Sequence, residues 1–279
     1  MMETRMIPEL PVPWGRHDLS SGETLKFTIG GCRLWARQKL GDLWLAWNYE
    51  DSTLKEGDDA GSLFAREQPP EPPDDTSWRR WALRAAVREL RLMPALPDRP
   101  IVVCPDHAFH VGVEARTRVY VRVPLWIRVE EEGQGERTLI EIPTVRLSNI
   151  WFGGLMDGEL CYYISSAARR QMTPDLIHAD LAVCPVQINN ISGEDLDVQK
   201  ICLRVINLSL FCEGGHFWAD ESLVNFKGKD FGSVFDVTGR APDEKKGARL
   251  VMPPRISGRK GFVTRMFSSF RELAGMPYY

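Results

Sequence analysis

The sequence predicts a mainly β protein, built from antiparallel β-sandwiches, with a short amphipathic helix at the C-terminus. Two patterns favour this fold class. Apolar and polar residues alternate over long stretches, and polar turns separate these stretches about every 8–12 residues. A third observation is negative: strands and helices do not alternate along the chain, which argues against a doubly wound α/β fold.

The clearest alternation spans residues 119–129. Every odd position there is apolar, as in Val119, Val121 and Val123. Because successive side chains of a strand point to opposite faces, this pattern predicts one long strand, or two collinear ones, with a buried face. Pro124 has no N–H to donate, so we expect the strand to lie at a sheet edge or to carry a bulge there.

Other segments have the same character. Residues 33–40 and 43–50 flank Gly41-Asp42, which predicts a tight hairpin. Further strands are expected at 101–104, 138–142, 159–164, 181–189 and 198–208.

Two segments have helical features. Residues 78–92 have partly helical apolar spacing and a possible cap at Ser77, but they also read as a strand. Residues 261–274 predict the C-terminal helix, because their apolar residues fall on one helical face. We expect this helix to dock on its own chain, in preference to a protein partner or peripheral membrane contact. The four residues of the predicted stripe are Phe262, Met266, Phe270 and Leu273.

Changes in composition along the chain predict how it is divided into regions. The Pro-rich stretch 68–76 is expected to be a linker or a long loop. It would separate a Trp-rich β-hairpin region at 1–67 from a main β-sandwich body at 77–258. The predicted helix and tail occupy 259–279.

The overall composition disfavours several classes of function. The chain has 279 residues, a formal net charge of −3 and a pI of about 6.0, so no global basic field favours nucleic acid. No apolar run approaches the roughly 20 residues of a membrane span. The first residues lack the apolar stretch of a secretory signal, so we expect a cytoplasmic protein.

Candidate catalytic residues are few. The six cysteines show no C-x-x-C or zinc-type spacing, so we expect free thiols, no metal site and no cofactor. Cys161 is a weak candidate nucleophile, with His178 or His216 as its base. The alternation around Cys161 favours a buried structural cysteine.

A basic and aromatic strip is the candidate binding surface. The even positions beside the 119–129 alternation combine arginine with aromatic residues, which can pair with phosphates and stack on bases. The same pattern is typical of a solvent face whose arginines pair with acidic residues. The strip consists of Arg118, Tyr120, Arg122, Trp126 and Arg128.

Three segments carry a family resemblance. They are residues 94–100 (PALPDRP), 120–126 (YVRVPLW) and 147–162, which includes LSNIWFG and GELCY. Together they resemble a prokaryotic family defined only as a domain of unknown function, number four hundred and thirty-two. The resemblance covers about residues 24–270. It implies a soluble, mostly β protein and brings no catalytic residues.

The sequence therefore favours a non-enzymatic binding module that contacts a protein partner or another copy of itself. One alternative is a hydrolase acting on a sugar or ester through a site built by loops. Another is a binder of single-stranded nucleic acid. A deep cleft that joins Cys161 or a carboxylate pair to a histidine would favour the enzyme. A flat exposed apolar patch would favour the binding module.

Overall fold

The fold is described from a computed structural model of the chain. It covers residues 10–20, 22–50, 63–65, 71–83, 88–105, 107–131, 137–154, 156, 158–164, 168–172, 177–228, 231, 233–257, 262–264 and 266–268.

Nearly all regular structure in these ranges is β-strand, which confirms the mainly β prediction. Short 3₁₀-helices lie at Val205–Asn207 and Asp243–Lys245. The strands are β1 (Gly15–Asp18), β2 (Thr24–Ile29), β3 (Cys32–Lys39), β4 (Asp42–Tyr49), β5 (Leu63–Ala65), β6 (Arg79–Trp81), β7 (Glu89–Ala95), β8 (Ile101–Val103), β9 (Phe109–Val111), β10 (Arg116–Pro124), β11 (Trp126–Glu131), β12 (Arg137–Pro143), β13 (Ser148–Phe152), β14 (Glu159–Ile164), β15 (Leu181–Asn190), β16 (Leu196–Val198), β17 (Lys200–Leu203), β18 (Leu210–Glu213), β19 (His216–Ala219), β20 (Ser222–Phe226), β21 (Ser233–Val237), β22 (Arg249–Met252), β23 (Phe262–Thr264) and β24 (Phe267–Ser268).

The described strands form five sheets. The N-terminal sheet has the order β5-β2-β3-β4-β6, and a four-stranded sheet has the order β1-β7-β11-β12. In an eight-stranded sheet, β15 pairs with β10 along one edge and runs parallel to β19 and β20. A five-stranded sheet has the order β13-β14-β8-β17-β24, and β9 pairs with β16. Because some pairs are parallel, the sheets are not purely antiparallel, and the sandwich arrangement stays a prediction.

The 119–129 alternation lies in the core as predicted. Its apolar residues belong to one hydrophobic cluster and are fully buried. The chain passes at Leu125 from β10 to β11, so the two strands belong to different sheets. The six buried residues are Val119, Val121, Val123, Leu125, Ile127 and Val129.

The predicted C-terminal helix is wrong. The described residues of 261–274 instead form β23, which pairs with β21, and β24, which pairs with β17. Met266 is fully buried, and Phe267 packs edge-on against Phe226 with ring centroids 6.2 Å apart. Open strand edges were available to this segment, and pairing with them satisfies its backbone groups. Phe270 and Leu273 lie outside the described residues.

Two local predictions also need correction, and one open question is answered. The β3–β4 turn is Leu40-Gly41 rather than Gly41-Asp42, and both turn residues have positive φ (55° and 83°). Two-residue hairpin turns favour positive φ at both turn residues, because this conformation matches the right-handed twist of the two strands. For residues 78–92, where the sequence left helix and strand open, the described residues include β6 and the start of β7. The segment 198–208 is not one strand, since it divides into the end of β16, β17 and a 3₁₀-helix.

Strands on both sides of the Pro-rich stretch pair with each other. β6 joins the N-terminal sheet through β4, and β1 pairs with β7. Arg37 forms an ion pair with Glu71 and stacks on Trp78, 3.9 Å from the ring centroid. The segment 71–78 therefore contacts the N-terminal sheet, while the domain boundary near 68–76 stays a prediction.

Candidate functional site

The candidate site is the β13–β14 hairpin, whose two faces differ sharply. Trp151 lies opposite Leu160 in the register, and Asn149 lies opposite Tyr162. Side chains that face each other across an antiparallel pair lie on the same side of the sheet. The alternate residues, which include Phe152 and Cys161, lie on the other side.

The first face is exposed and aromatic. Trp151 and Leu160 are large apolar residues with 47% and 46% of their surface accessible. Arg99 stacks on Tyr162, 5.4 Å from the ring centroid, and its Nη1 donates to Asn149 Oδ1 at 3.5 Å. We call Arg99, Asn149, Trp151, Leu160 and Tyr162 the aromatic platform.

Local contacts fix the orientation of Trp151. Its indole Nε1 donates to the carbonyl oxygen of Gly154 at 2.9 Å, and the amide of Gly158 donates to the same oxygen. A Cβ at position 158 would collide with the indole and would lie 2.6 Å from the Gly154 oxygen. Glycine at 158 is therefore required for the indole to lie across the hairpin.

Tyr162 is also held in place. Its hydroxyl donates to Asp98 Oδ1 at 2.9 Å, and its ring packs against Trp126 with centroids 5.8 Å apart. Burial raises the pKa of Tyr162 to about 12, with a further contribution from the hydrogen bond to Asp98. The phenol therefore stays neutral near pH 7, where it donates this hydrogen bond.

The second face is buried and carries thiols. Cys161 Sγ lies 3.9 Å from Cys202 Sγ, and both residues are fully buried among Val102 and Phe152. Glu159 forms an ion pair with Arg204 at the border of this apolar group. The hydrogen bond from Cys202 lowers the pKa of Cys161 and raises that of Cys202. We call Glu159, Cys161, Cys202 and Arg204 the thiol cluster.

The thiol cluster holds possible metal ligands. A carboxylate oxygen of Glu159 and the two sulfur atoms all lie within 4.8 Å of one another. Sequence spacing gave no sign of this group, because Cys161 and Cys202 lie on different strands that both pair with β8.

The predicted catalytic dyad is not among the contacts of Cys161. The groups that hydrogen-bond to this thiol or act on its charge are Cys202, Glu159 and Arg204. His178 lies in the turn before β15, where its charge acts on Asp180, and His216 begins β19. A catalytic role for these residues stays a prediction.

The predicted binding strip is split between two sheets. Arg118 pairs with Glu221 and Glu244, and the Tyr120 hydroxyl donates to Glu244 at 2.5 Å. On β11, Arg128 pairs with Glu141 at 2.7 Å.

The other two strip residues differ in burial. Arg122 is partly buried and lowers the pKa of Asp180 by its charge, although burial raises that pKa overall. Trp126 is buried behind Tyr162 of the platform. The strip residues therefore do not form one free surface.

The segments behind the family resemblance meet at the platform. Residues 94–100 contribute Arg99, residues 120–126 contribute Trp126 and residues 147–162 contribute the hairpin. The sequence profile of a family described as "Protein of unknown function (DUF432)" matches residues 13–271. The chain belongs to the DUF432 family. No curated protein and no solved structure matches this DUF432 chain.

No helix of the described DUF432 residues is long and apolar enough to cross a membrane.

Proposed function

We propose that this DUF432 protein is a non-enzymatic binding module whose contact surface is the aromatic platform, and that its partner is another protein. The observation that carries the proposal is the state of Trp151, which is half exposed yet held by a hydrogen bond to its own hairpin. A large aromatic group fixed in advance loses little side-chain entropy when it binds. Such a residue is suited to be a binding anchor.

The chemistry of the platform favours a protein partner. Tryptophan, tyrosine and arginine are the residue types that contribute most binding energy in protein interfaces. Leu160 in the platform and the fully exposed Met156 in the β13–β14 loop are aliphatic groups, which suit an apolar side chain better than a sugar or a nucleobase. Asp98 beside Arg99 balances the local charge, which disfavours recognition of a phosphate backbone.

Strand β13 supplies a second reason. Among the described strands it pairs with β14 alone and lies at the edge of its sheet. An open edge can accept an added strand through backbone hydrogen bonds, a mode that only another polypeptide provides. A partner strand placed beside β13 would lie next to Trp151. The cytoplasmic location expected from the sequence is part of this proposal.

The two alternatives have weaker support. For a hydrolase, the groups that act on Cys161 are a second thiol and the Glu159–Arg204 ion pair rather than a histidine. For a nucleic-acid binder, the cations of Arg118 and Arg128 are each paired with carboxylates.

Site-specific photo-cross-linking in a prokaryotic host that expresses the protein tests the proposal. A photoreactive residue at Leu160 is compared with one at Phe231, which is 71% exposed and lies outside the platform. We expect a discrete protein adduct at 160 and none at 231. Replacing Trp151 by Ala should reduce the adduct at 160 by about tenfold or more, the loss typical of an interface anchor.

Two results would contradict the proposal. One is an equal set of adducts at both positions, which would reflect random collision. The other is no protein adduct at 160 together with platform-dependent binding of the purified protein to an oligosaccharide or a single-stranded oligonucleotide.

A further inference from the structure

The thiol cluster has the geometry of a small metal centre. In a tetrahedral zinc site with Zn–S bonds of about 2.3 Å, two sulfur ligands lie about 3.8 Å apart. The Sγ atoms of Cys161 and Cys202 are 3.9 Å apart, and a carboxylate oxygen of Glu159 lies within 4.8 Å of both. One ion can therefore reach all three atoms with little movement of the side chains.

The backbone geometry disfavours a disulfide between the same cysteines. Cys161 lies on β14 and Cys202 on β17, and β8 pairs with both of these strands. Strands separated by one intervening strand lie about 9.5 Å apart, whereas a disulfide requires Cα atoms within about 7 Å. A metal ion can bridge this gap because it adds two metal–sulfur bonds between the sulfur atoms.

Charge balance also favours a divalent cation. Two thiolates and the Glu159 carboxylate carry three negative charges, and Arg204 contributes one positive charge through its ion pair with Glu159. A divalent ion makes the group neutral, which a buried site requires. Thiolate ligands favour zinc over calcium or magnesium, since the latter prefer oxygen ligands.

The surroundings of the two cysteines suit a bound ion that can enter from solvent. Val102 and Phe152 pack around the two cysteines and are buried, while Glu159 keeps 36% of its side chain exposed. This exposed carboxylate provides a route for the ion from solvent. One oxygen of Glu159 would bind the metal while the other stays with Arg204, an arrangement that orients the ligand.

We propose that Glu159, Cys161 and Cys202 bind one zinc-class divalent cation, with Arg204 as the charge-balancing positioning residue. Binding converts the two thiols to thiolates and releases their protons to solvent. The described residues supply three ligand atoms, and water fills the fourth position. The metal would connect β14 to β17 on the buried side of the hairpin sheet.

Titration of the full chain with Co²⁺, under reducing and anaerobic conditions, tests this site. We expect one equivalent of Co²⁺ to produce a thiolate-to-cobalt charge-transfer band, which Zn²⁺ then abolishes by displacing the Co²⁺. Cys161→Ser and Cys202→Ser should lose the band. Cys212→Ser, which changes a buried cysteine of the eight-stranded sheet, should keep it.

A milder variant keeps the test decisive if the serine variants fail to fold. Glu159→Gln changes a partly exposed side chain without changing its size, and circular dichroism checks its fold. Loss of this ligand should weaken Zn²⁺ binding by about 10–100-fold or more, since loss of an outer contact alone has an effect of that size.

Three results would overturn the proposal. The first is the absence of a charge-transfer band in the reduced wild type. The second is a band that persists when both Cys161 and Cys202 are replaced. The third is a Cys161–Cys202 disulfide in the folded protein without Co²⁺ binding after reduction, which would identify a redox pair instead.

Discussion

The two faces of the β13–β14 hairpin place neighbouring residues in opposite environments. Trp151 is half exposed, whereas Phe152, the next residue, is almost fully buried. Leu160 and Cys161 repeat the contrast on the second strand. Because side chains alternate along a strand, one hairpin can present a binding surface on one side and pack on the other. A change on one face therefore need not disturb the other.

The two faces also differ in which polar groups they contain and in how exposed these groups are. On the exposed face, Asp98, Arg99 and Asn149 lie at the surface and hold the aromatic rings in position. On the buried face, the polar groups are two thiols and the Glu159–Arg204 ion pair. The first arrangement suits recognition by an incoming partner, and the second suits a small ion that enters past Glu159.

The largest expected effect is a difference in unfolding free energy between a variant of the buried face and a variant of the exposed face. Phe152→Ala should lower the free energy of unfolding by about 3–5 kcal/mol, because it leaves a cavity among buried residues. Trp151→Ala should lower it by about 1 kcal/mol or less, as expected for an exposed site. Equilibrium unfolding in urea measures both values. Equal losses would show that the two faces contribute alike and would end the comparison.

The next prediction concerns the turn that positions the indole. Gly158→Ala places a methyl group against Trp151 and the Gly154 carbonyl, so it should cost about 1–3 kcal/mol of unfolding free energy. Gly193→Ala is the matched control, because a Cβ there meets no atom within 4 Å. Its cost should stay within about 0.5 kcal/mol. If both variants lose the same stability, the space at Gly158 is not needed for the indole to bind the Gly154 oxygen.

The smallest expected effect concerns Tyr120 in the predicted binding strip. The strip is compared with the hairpin because its charged groups are paired with one another. Burial and then the Glu244 hydrogen bond raise the pKa of Tyr120 to about 12, above the usual value near 10. The unfolded chain therefore loses this proton first, and stability should fall as pH rises from about 10 to about 12.

Removing the acidic partner tests that assignment. Glu244→Gln should lower the Tyr120 pKa, which a tyrosinate absorbance titration detects. Asp243→Asn is the control, because the shifted pKa of Tyr120 comes from burial, Glu244, Arg118 and Glu221, and this variant should change the titration much less than Glu244→Gln does. An unaltered titration in Glu244→Gln would mean that Glu244 does not contribute to the raised pKa of Tyr120.

Much of the fold could be predicted because alternation directly reports which side of a strand is buried. The residues from Val119 to Val129 show this, since burial follows the pattern without exception at the odd positions. The C-terminal segment shows the limit. Phe262, Met266 and Phe270 are spaced by four, which fits one helical face but also fits one side of a strand. The segment forms strands because it pairs with β21 and β17. The sequence does not reveal which strands have an edge open for such pairing.

The candidate site was less accessible to prediction. Alternation could have indicated that Trp151 and Phe152 point to opposite sides, but not which side would be covered. The Cys161–Cys202 contact forms only because β14 and β17 both pair with β8. Their separation of 41 residues carries no such information. The predicted strip is divided between two sheets because the chain changes sheets at Leu125, and its role in binding stays a prediction.

In the proposed function, Trp151 serves binding rather than folding. The most direct measurement is the yield of the protein adduct cross-linked at position 160 in the Trp151→Ala variant, on protein whose unfolding free energy has been measured. We expect the yield to fall by about tenfold or more, with an unfolding free energy within about 1 kcal/mol of the wild type. An unchanged yield from the folded variant would contradict it.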